Sequence, residues 1–294
     1  MKSVAQDECP LSRMLCQRVF TGHVCEQNPR VTYPKLASVV LPFAVIGFAV
    51  VACMHATESK PDCPISTPES KGTTTAKPTT AKPIVATEAE TRSAFEKIYR
   101  DADWGKNTGG IGNSGTGSTL EATALYRQYL QDFIKANHIT SVVDAGCGDW
   151  EFSQKIDWTG IDYKGYDIVP KLIEQNTARF QKDNIHFFVG NMIEDDLPKA
   201  DLLVSKHVLQ HLPNEAVKKF LAKQLKKYKH VLLTNGVDAV YLSALNSDIK
   251  PGEYRELDIT RPPFEISTGV SKELTYWANG FMHQVVHVDN TKGR

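Results

Sequence analysis

Apolar and polar positions follow two rhythms along the C-terminal two thirds of the chain. Short runs bounded by turn signals, at 141–145, 163–167, 185–189, 200–205 and 230–234, predict strands, the first of them from its β-branched residues. Stretches with apolar residues at helical spacing lie between them, at 169–181 and 214–227. Ahead of the first strand the pattern predicts a short helix over 95–99. A longer one follows over 119–137, with Leu125, Tyr129 and Phe133 on one face. Residues 281–288, FMHQVVHV, read as a last strand. Strands separated by helices imply an α/β, doubly wound domain with a mostly parallel sheet covered on both faces.

The N-terminal third is different. Residues 1–35 are polar and irregular, with Arg13, Arg18, Arg30 and Lys35 as basic markers. Residues 36–54, LASVVLPFAVIGFAVVACM, carry no charge and are just long enough to cross a bilayer as a helix. A buried core helix is the other reading, but the adjoining Thr/Pro-rich stretch offers it nothing to pack against. Val50–Cys53 resembles a loose lipoprotein box, yet a leading segment of 35 residues is long for a cleaved signal peptide. A transmembrane anchor or signal-anchor is therefore expected. Residues 55–90, including TPESKGTTTAKPTTAKPIVATEAE, cannot bury enough apolar surface to offset the entropy of ordering and read as a disordered linker. The folded domain is expected over 91–294. Basic residues are slightly denser before the charge-free run than after it. That favours a single-pass membrane protein with its C-terminal domain on the lumenal or extracytoplasmic side.

Composition narrows the chemistry. With 34 basic and 34 acidic residues in 294 the net charge is zero, which gives no footprint of a nucleic-acid binder. The one basic run, Lys218 to Lys229, has Phe220, Leu221 and Leu225 at helical spacing and reads as the solvated face of a helix. Of six cysteines, Cys9, Cys16, Cys25, Cys53 and Cys63 precede residue 64, so only Cys147 lies in the expected domain. An internal disulfide and a cysteine-rich zinc site are thereby excluded there, and no metal is expected.

The chemistry concentrates in VVDAGCGDWEFS, residues 142–153. A short apolar strand ends in Asp144 and turns through Gly146 and Gly148, which permit a tight turn and a close approach to a ligand. In doubly wound sheets ligands lie at the carboxyl ends of the strands, where this turn sits. Asp167 ends the second strand about 20 residues on, as an acid that takes a pair of ribose hydroxyls should. A dinucleotide pyrophosphate needs a third small residue after the turn. Glu151 stands there instead and Asp149 adds a second negative charge. A ligand with a positive centre and no phosphate is better served.

These residues resemble the class I S-adenosylmethionine-dependent methyltransferases, over roughly residues 95–290. DAGCG at 144–148 is similar to the family's first motif, and Asp167 to its ribose-binding acid. VGNMIEDDLP at 189–198 is similar to the segment over the adenine, with Asn191 where Asp is usual. ADLLVSKHVLQHLPN at 200–214 is similar to the family's fourth strand and the segment after it, with His207 where Asp is frequent. The resemblance implies a Rossmann-like, seven-stranded sheet with an antiparallel last strand, and S-adenosyl-L-methionine as cofactor. It implies that Asp144, Gly146, Cys147, Gly148, Asp167, Ile168, Asn191, Met192, Lys206 and Trp104 hold the cofactor. The glycine-rich loop DWGKNTGGIGNSGTGS, residues 103–118, reads either as a lid closing over cofactor and Trp104 or as a flexible connector.

His207 and His211 are candidate catalytic bases, or residues that only cap and pack the turn before Pro213. Tyr254, Arg255 and Asp258, in the late loop NSDIKPGEYRELDITRPPF, are candidate acceptor-binding residues. A small-molecule or glycan acceptor is expected rather than nucleic acid. The departures at Asn191 and His207 leave one alternative, a catalytically inactive cofactor-binding scaffold that works through partner contacts. On the lumenal side, the chain has no Asn-x-Ser/Thr sequon and the methyl donor is made in the cytosol, both of which run against that placement.

Overall fold

The computed structural model describes residues 83–105, 113–237 and 244–292. Among them, no helix is long and apolar enough to cross a membrane. The charge-free run 36–54 and the linker to residue 82 lie outside the described residues.

The first helix, α1, spans Glu88–Asp101. Thr87 caps it reciprocally: its hydroxyl accepts from Glu90 N at 3.2 Å, and Glu90 Oε2 accepts from Thr87 N at 2.8 Å. This cap starts the helix well before residue 95, so α1 is longer than its apolar spacing predicts. Helix α2 spans Ala124–Ala136 and buries Tyr126, Leu130, Phe133 and Ile134. The predicted face is corrected here, because Leu125 is 59% exposed.

Strands β1 (Ser141–Ala145), β2 (Asp162–Asp167), β3 (Ile185–Val189), β4 (Leu202–Lys206) and β5 (His230–Gly236) form the parallel part of the sheet. Helix α3 (Pro170–Phe180), with Pro170 in its first turn, and α4 (Asn214–Gln224) supply crossovers. Strands β6 (Val270–Ala278) and β7 (Phe281–Asp289) close the sheet in the order β3-β2-β1-β4-β5-β7-β6. β7 runs antiparallel to β5 and β6 antiparallel to β7.

Two apolar layers sandwich the sheet. Phe95, Leu172, Phe220 and Leu257 belong to one, and Tyr126, Leu130, Trp158 and Ile173 to the other. The basic run falls on the outer side of α4 and beyond, where Lys219 pairs with Glu194 at 3.1 Å and Lys227 with Asp196. The order reverses beside β1: its chain continues to β2 on one side while β4 lies on the other. The crevice over the carboxyl ends of β2, β1 and β4 is therefore the place for a ligand.

Candidate active site

A cavity of about 280 Å³ opens at that crevice. The turn after β1 forms its floor. Gly146 has φ +86°, and a Cβ there would come within 2.3 Å of Val208 Cγ2, so only glycine fits between the turn and the segment after β4. Trp150 holds the far end of the turn. It adopts φ +60° and is buried among Tyr163, Phe180 and Phe187, at ring distances of 5.6, 5.0 and 5.3 Å. A non-glycine residue kept in the left-handed region needs such support from its surroundings.

Asp167 ends β2 with its carboxylate against the turn: Oδ2 accepts from Gly148 N and Oδ1 from Val169 N, both at 3.0 Å. Burial raises its pKa to about 6, partly offset by those two amides. Asp144 accepts from Tyr163 Oη at 2.6 Å, and burial lifts its carboxyl to about 7. Glu151 is also buried, with Oε2 lacking a partner and its carboxyl pushed up by burial.

A strap, residues 113–118, crosses above. Asp149 Oδ2 accepts from Asn113 N at 2.7 Å and Ser114 N at 2.8 Å, and the Ser114 hydroxyl lies 2.9 Å from Tyr99 Oη. Gly117 O accepts from Lys206 Nζ at 2.8 Å, and Thr116 O from Asn279 Nδ2. The part of the predicted lid that is described is thus fastened to four separate places. Trp104 packs beneath it on Phe95, Tyr99 and His211.

All ten residues expected at the cofactor line this cavity, as do His207, His211 and Tyr254. Asn191 Oδ1 already accepts from Ile193 N at 3.0 Å, leaving one lone pair for a ligand. Arg255 and Asp258 are corrections: neither is among the lining residues. Arg255 is buried and donates to Leu209 O and Asn214 Oδ1, and Asp258 is paired with Lys272 at 2.8 Å. Arg255 thus pins the late loop to the segment after β4 and the start of α4, and Asp258 pins it to β6. Arg255→Met is expected to lower stability by about 2 kcal/mol or more while leaving ligand affinity intact. Thermal melts with and without S-adenosylhomocysteine separate the two effects.

His211 is also corrected as a base. Its Nδ1 lies 3.0 Å from Glu253 O and its Nε2 3.3 Å from Gln210 Nε2, so both ring nitrogens are engaged in the fold. His207 differs. Its Nδ1 is 3.1 Å from Lys206 Nζ and its Nε2 has no partner. Burial holds its pKa well below the usual histidine value. Sequence reasoning missed Tyr99, Ser114, Asp149, Phe281 and His283, which line the cavity as well. Asp149 alone carried a signal, as a second acid in the turn.

Cys147 lines the cavity, but burial pushes its thiol up, which opposes a thiolate. Cys147→Ala is expected to keep affinity for S-adenosylhomocysteine within about threefold, as loss of a small hydrophobe should. Calorimetric titration measures it.

The donor set decides the ligand class. Asp144, Asp149, Glu151 and Asp167 surround the turn, which repels phosphate and suits a ribose joined to a cationic centre. Together with the sheet order, this agrees with the fold and cofactor that the resemblance to class I methyltransferases implies. Residues 142–230 match the family described as "Methyltransferase domain". No curated protein matches the chain.

Among solved structures, the chain is similar to magnesium protoporphyrin IX methyltransferase from Synechocystis with bound S-adenosylhomocysteine. Identity is 14% over 68% of this chain and 98% of that one, with a TM-score of 0.46. It is similar also to the N-methyltransferase NodS from Bradyrhizobium japonicum in complex with S-adenosylhomocysteine. There identity is 13%, with coverage of 69% and 100% and a TM-score of 0.49. Human N-acetylserotonin methyltransferase in complex with S-adenosylmethionine is 16% identical, with coverage of 69% and 67% and a TM-score of 0.41.

Proposed function

We propose that the domain methylates an oxygen of a small-molecule or glycan acceptor, held at His207. Bound S-adenosylmethionine supplies an electrophilic methyl group on a sulfonium. Asp167 would take the ribose hydroxyls, Asn191 and Met192 would lie at the base, and the glycine turn would allow close approach.

The observation that carries the acceptor reading is the unpartnered Nε2 of His207. With Lys206 as an ammonium, Nδ1 of His207 must accept, so the ring proton sits on Nε2. That N–H is a donor without a partner until an acceptor oxygen enters. A carboxylate, an ionised phenol or a hydroxyl suits it, whereas an ammonium is opposed. A base role for His207 requires Lys206 to be neutral. Tyr254 and Phe281, 45% exposed each and 6.0 Å apart, supply an apolar wall at the mouth.

A turnover screen with labelled S-adenosylmethionine over organic acids, phenols, glycans and peptides tests this reading. Turnover confined to amines would refute it. S-adenosylhomocysteine binding without any acceptor would favour the non-catalytic scaffold. His207→Ala should lower turnover while sparing S-adenosylhomocysteine affinity.

The charge-free run 36–54 supports a single-pass anchor, and the slightly denser basic residues before it support a lumenal domain. Protease treatment of sealed vesicles is the check. Digestion of the domain without detergent would place it in the cytosol, and a fully soluble full-length protein would remove the anchor.

A further inference from the structure

We infer that the cavity holds a subsite built for a neutral hydroxyl group, in which His207 Nε2–H donates to the acceptor's oxygen and His283 Nδ1 takes its hydrogen. The inference rests on the oxygen-acceptor reading above and narrows it, because a carboxylate or an ionised phenol could satisfy only the first of these two nitrogens.

The sheet brings the two rings together. His207 follows the last residue of β4, and its backbone N–H donates to Thr234 O of β5 at 2.8 Å. His283 lies on β7, opposite Gly236 of β5. Strand β5 stands between β4 and β7, and at this level it carries no side chain. The imidazoles arriving from either side have ring centres 4.7 Å apart. Both line the cavity, as do Tyr254 and Phe281, the latter on the same face of β7 as His283.

Their open atoms are complementary. Ala278 O lies 3.1 Å from His283 Nε2 and can only accept, so that nitrogen carries the ring proton and Nδ1 is a bare lone pair. On His207 the Nδ1 faces the Lys206 ammonium, which leaves the proton on Nε2. Both His207 Nε2 and His283 Nδ1 are buried, and neither has a hydrogen-bond partner among the described residues. Burial and the Lys206 charge bring the His283 pKa to about 4, and burial holds that of His207 well below the usual value. Both rings are therefore neutral near pH 7.

No neighbour fills the gap. Gln210 gives Oε1 to Gly236 N at 2.7 Å, and its Nε2 lies 3.3 Å from His211 Nε2. The strap closes over His207, where a Cβ on Gly117 would come within 2.7 Å of Nδ1. A buried donor and a buried acceptor left unpaired side by side are unfavourable. One hydroxyl accepts from the first and donates to the second. A carboxylate would set lone pairs against His283 Nδ1, and an ammonium would set hydrogens against His207 N–H. Each leaves one nitrogen unpaired and brings a charge out of water.

The test is calorimetric titration of the full-length protein, saturated with S-adenosylhomocysteine, at pH 7.5. Three probes of matched size are used: benzyl alcohol, benzoate and benzylamine. Benzyl alcohol should bind about tenfold or more tightly than either of the others, as for one buried polar group left unpaired. His283→Phe keeps a ring but no lone pair, and should lose about tenfold for benzyl alcohol while holding S-adenosylhomocysteine within about threefold. His283→Asn, which keeps an acceptor near the place of Nδ1, should recover most of that loss.

Benzoate binding as tightly as benzyl alcohol overturns the hydroxyl subsite and leaves the oxygen-acceptor reading standing. Binding by none of the three probes overturns the subsite, as does unchanged benzyl alcohol affinity in His283→Phe. Tightest binding by benzylamine overturns the oxygen-acceptor reading with it. If the variants do not fold, as thermal melting will show, the wild-type series decides alone.

Discussion

Asp167→Ala should lower affinity for S-adenosylhomocysteine at least tenfold, because each hydrogen bond from a ribose hydroxyl to a carboxylate contributes about 1.5–3 kcal/mol. The same substitution removes the acceptor for Gly148 N and Val169 N, so a lower melting temperature should accompany the loss. Asp167→Asn separates the two effects. Its amide oxygen can still accept from one of those amides, so it should recover part of the stability and less of the affinity. Titration and melting of both variants supply the comparison. Affinity unchanged in Asp167→Ala would remove the ribose assignment.

Gly146→Ala should be strongly damaging. It meets Val208 Cγ2 at 2.3 Å and places a side chain at φ +86°. The left-handed conformation alone costs about 1–2 kcal/mol, and overpacking adds about 1–3 kcal/mol. For a domain of this size a loss of 1 kcal/mol lowers the melting temperature by about 2–4 °C, so a drop of several degrees is expected, with loss of S-adenosylhomocysteine binding. Val208→Ala in the same chain should relieve the contact but not the backbone strain, restoring only part of the stability. A full rescue would mean that φ contributes nothing.

The parallel half of the sheet was legible because β1 and β4, buried along nearly their whole length, read as continuous apolar runs. Strand β6 was not. Its sequence, VSKELTYWA, is largely exposed, since an edge strand with Lys272 and Glu273 shows no apolar alternation. The glycine turn and Asp167 were readable because backbone geometry and charge at fixed spacing leave a local signature. Which nitrogen of which histidine is occupied depends on how the side chains pack in the folded domain, which residue spacing does not reveal. Glu253 O on His211 and Lys206 on His207 make one ring a fixture and leave the other open. Likewise, nothing local distinguishes a buried Arg255 from a solvated one; its partners lie 46 and 41 residues away.

The fastening of the strap through Gly117 to Lys206 has a kinetic consequence. The lysine that faces the ligand also holds the cover, so departure of spent donor and lifting of the cover become a single event. Residence time of the product then depends on the lifetime of a few hydrogen bonds at Asp149, Ser114 and Gly117 rather than the depth of the pocket. Loosening these ties should speed exchange.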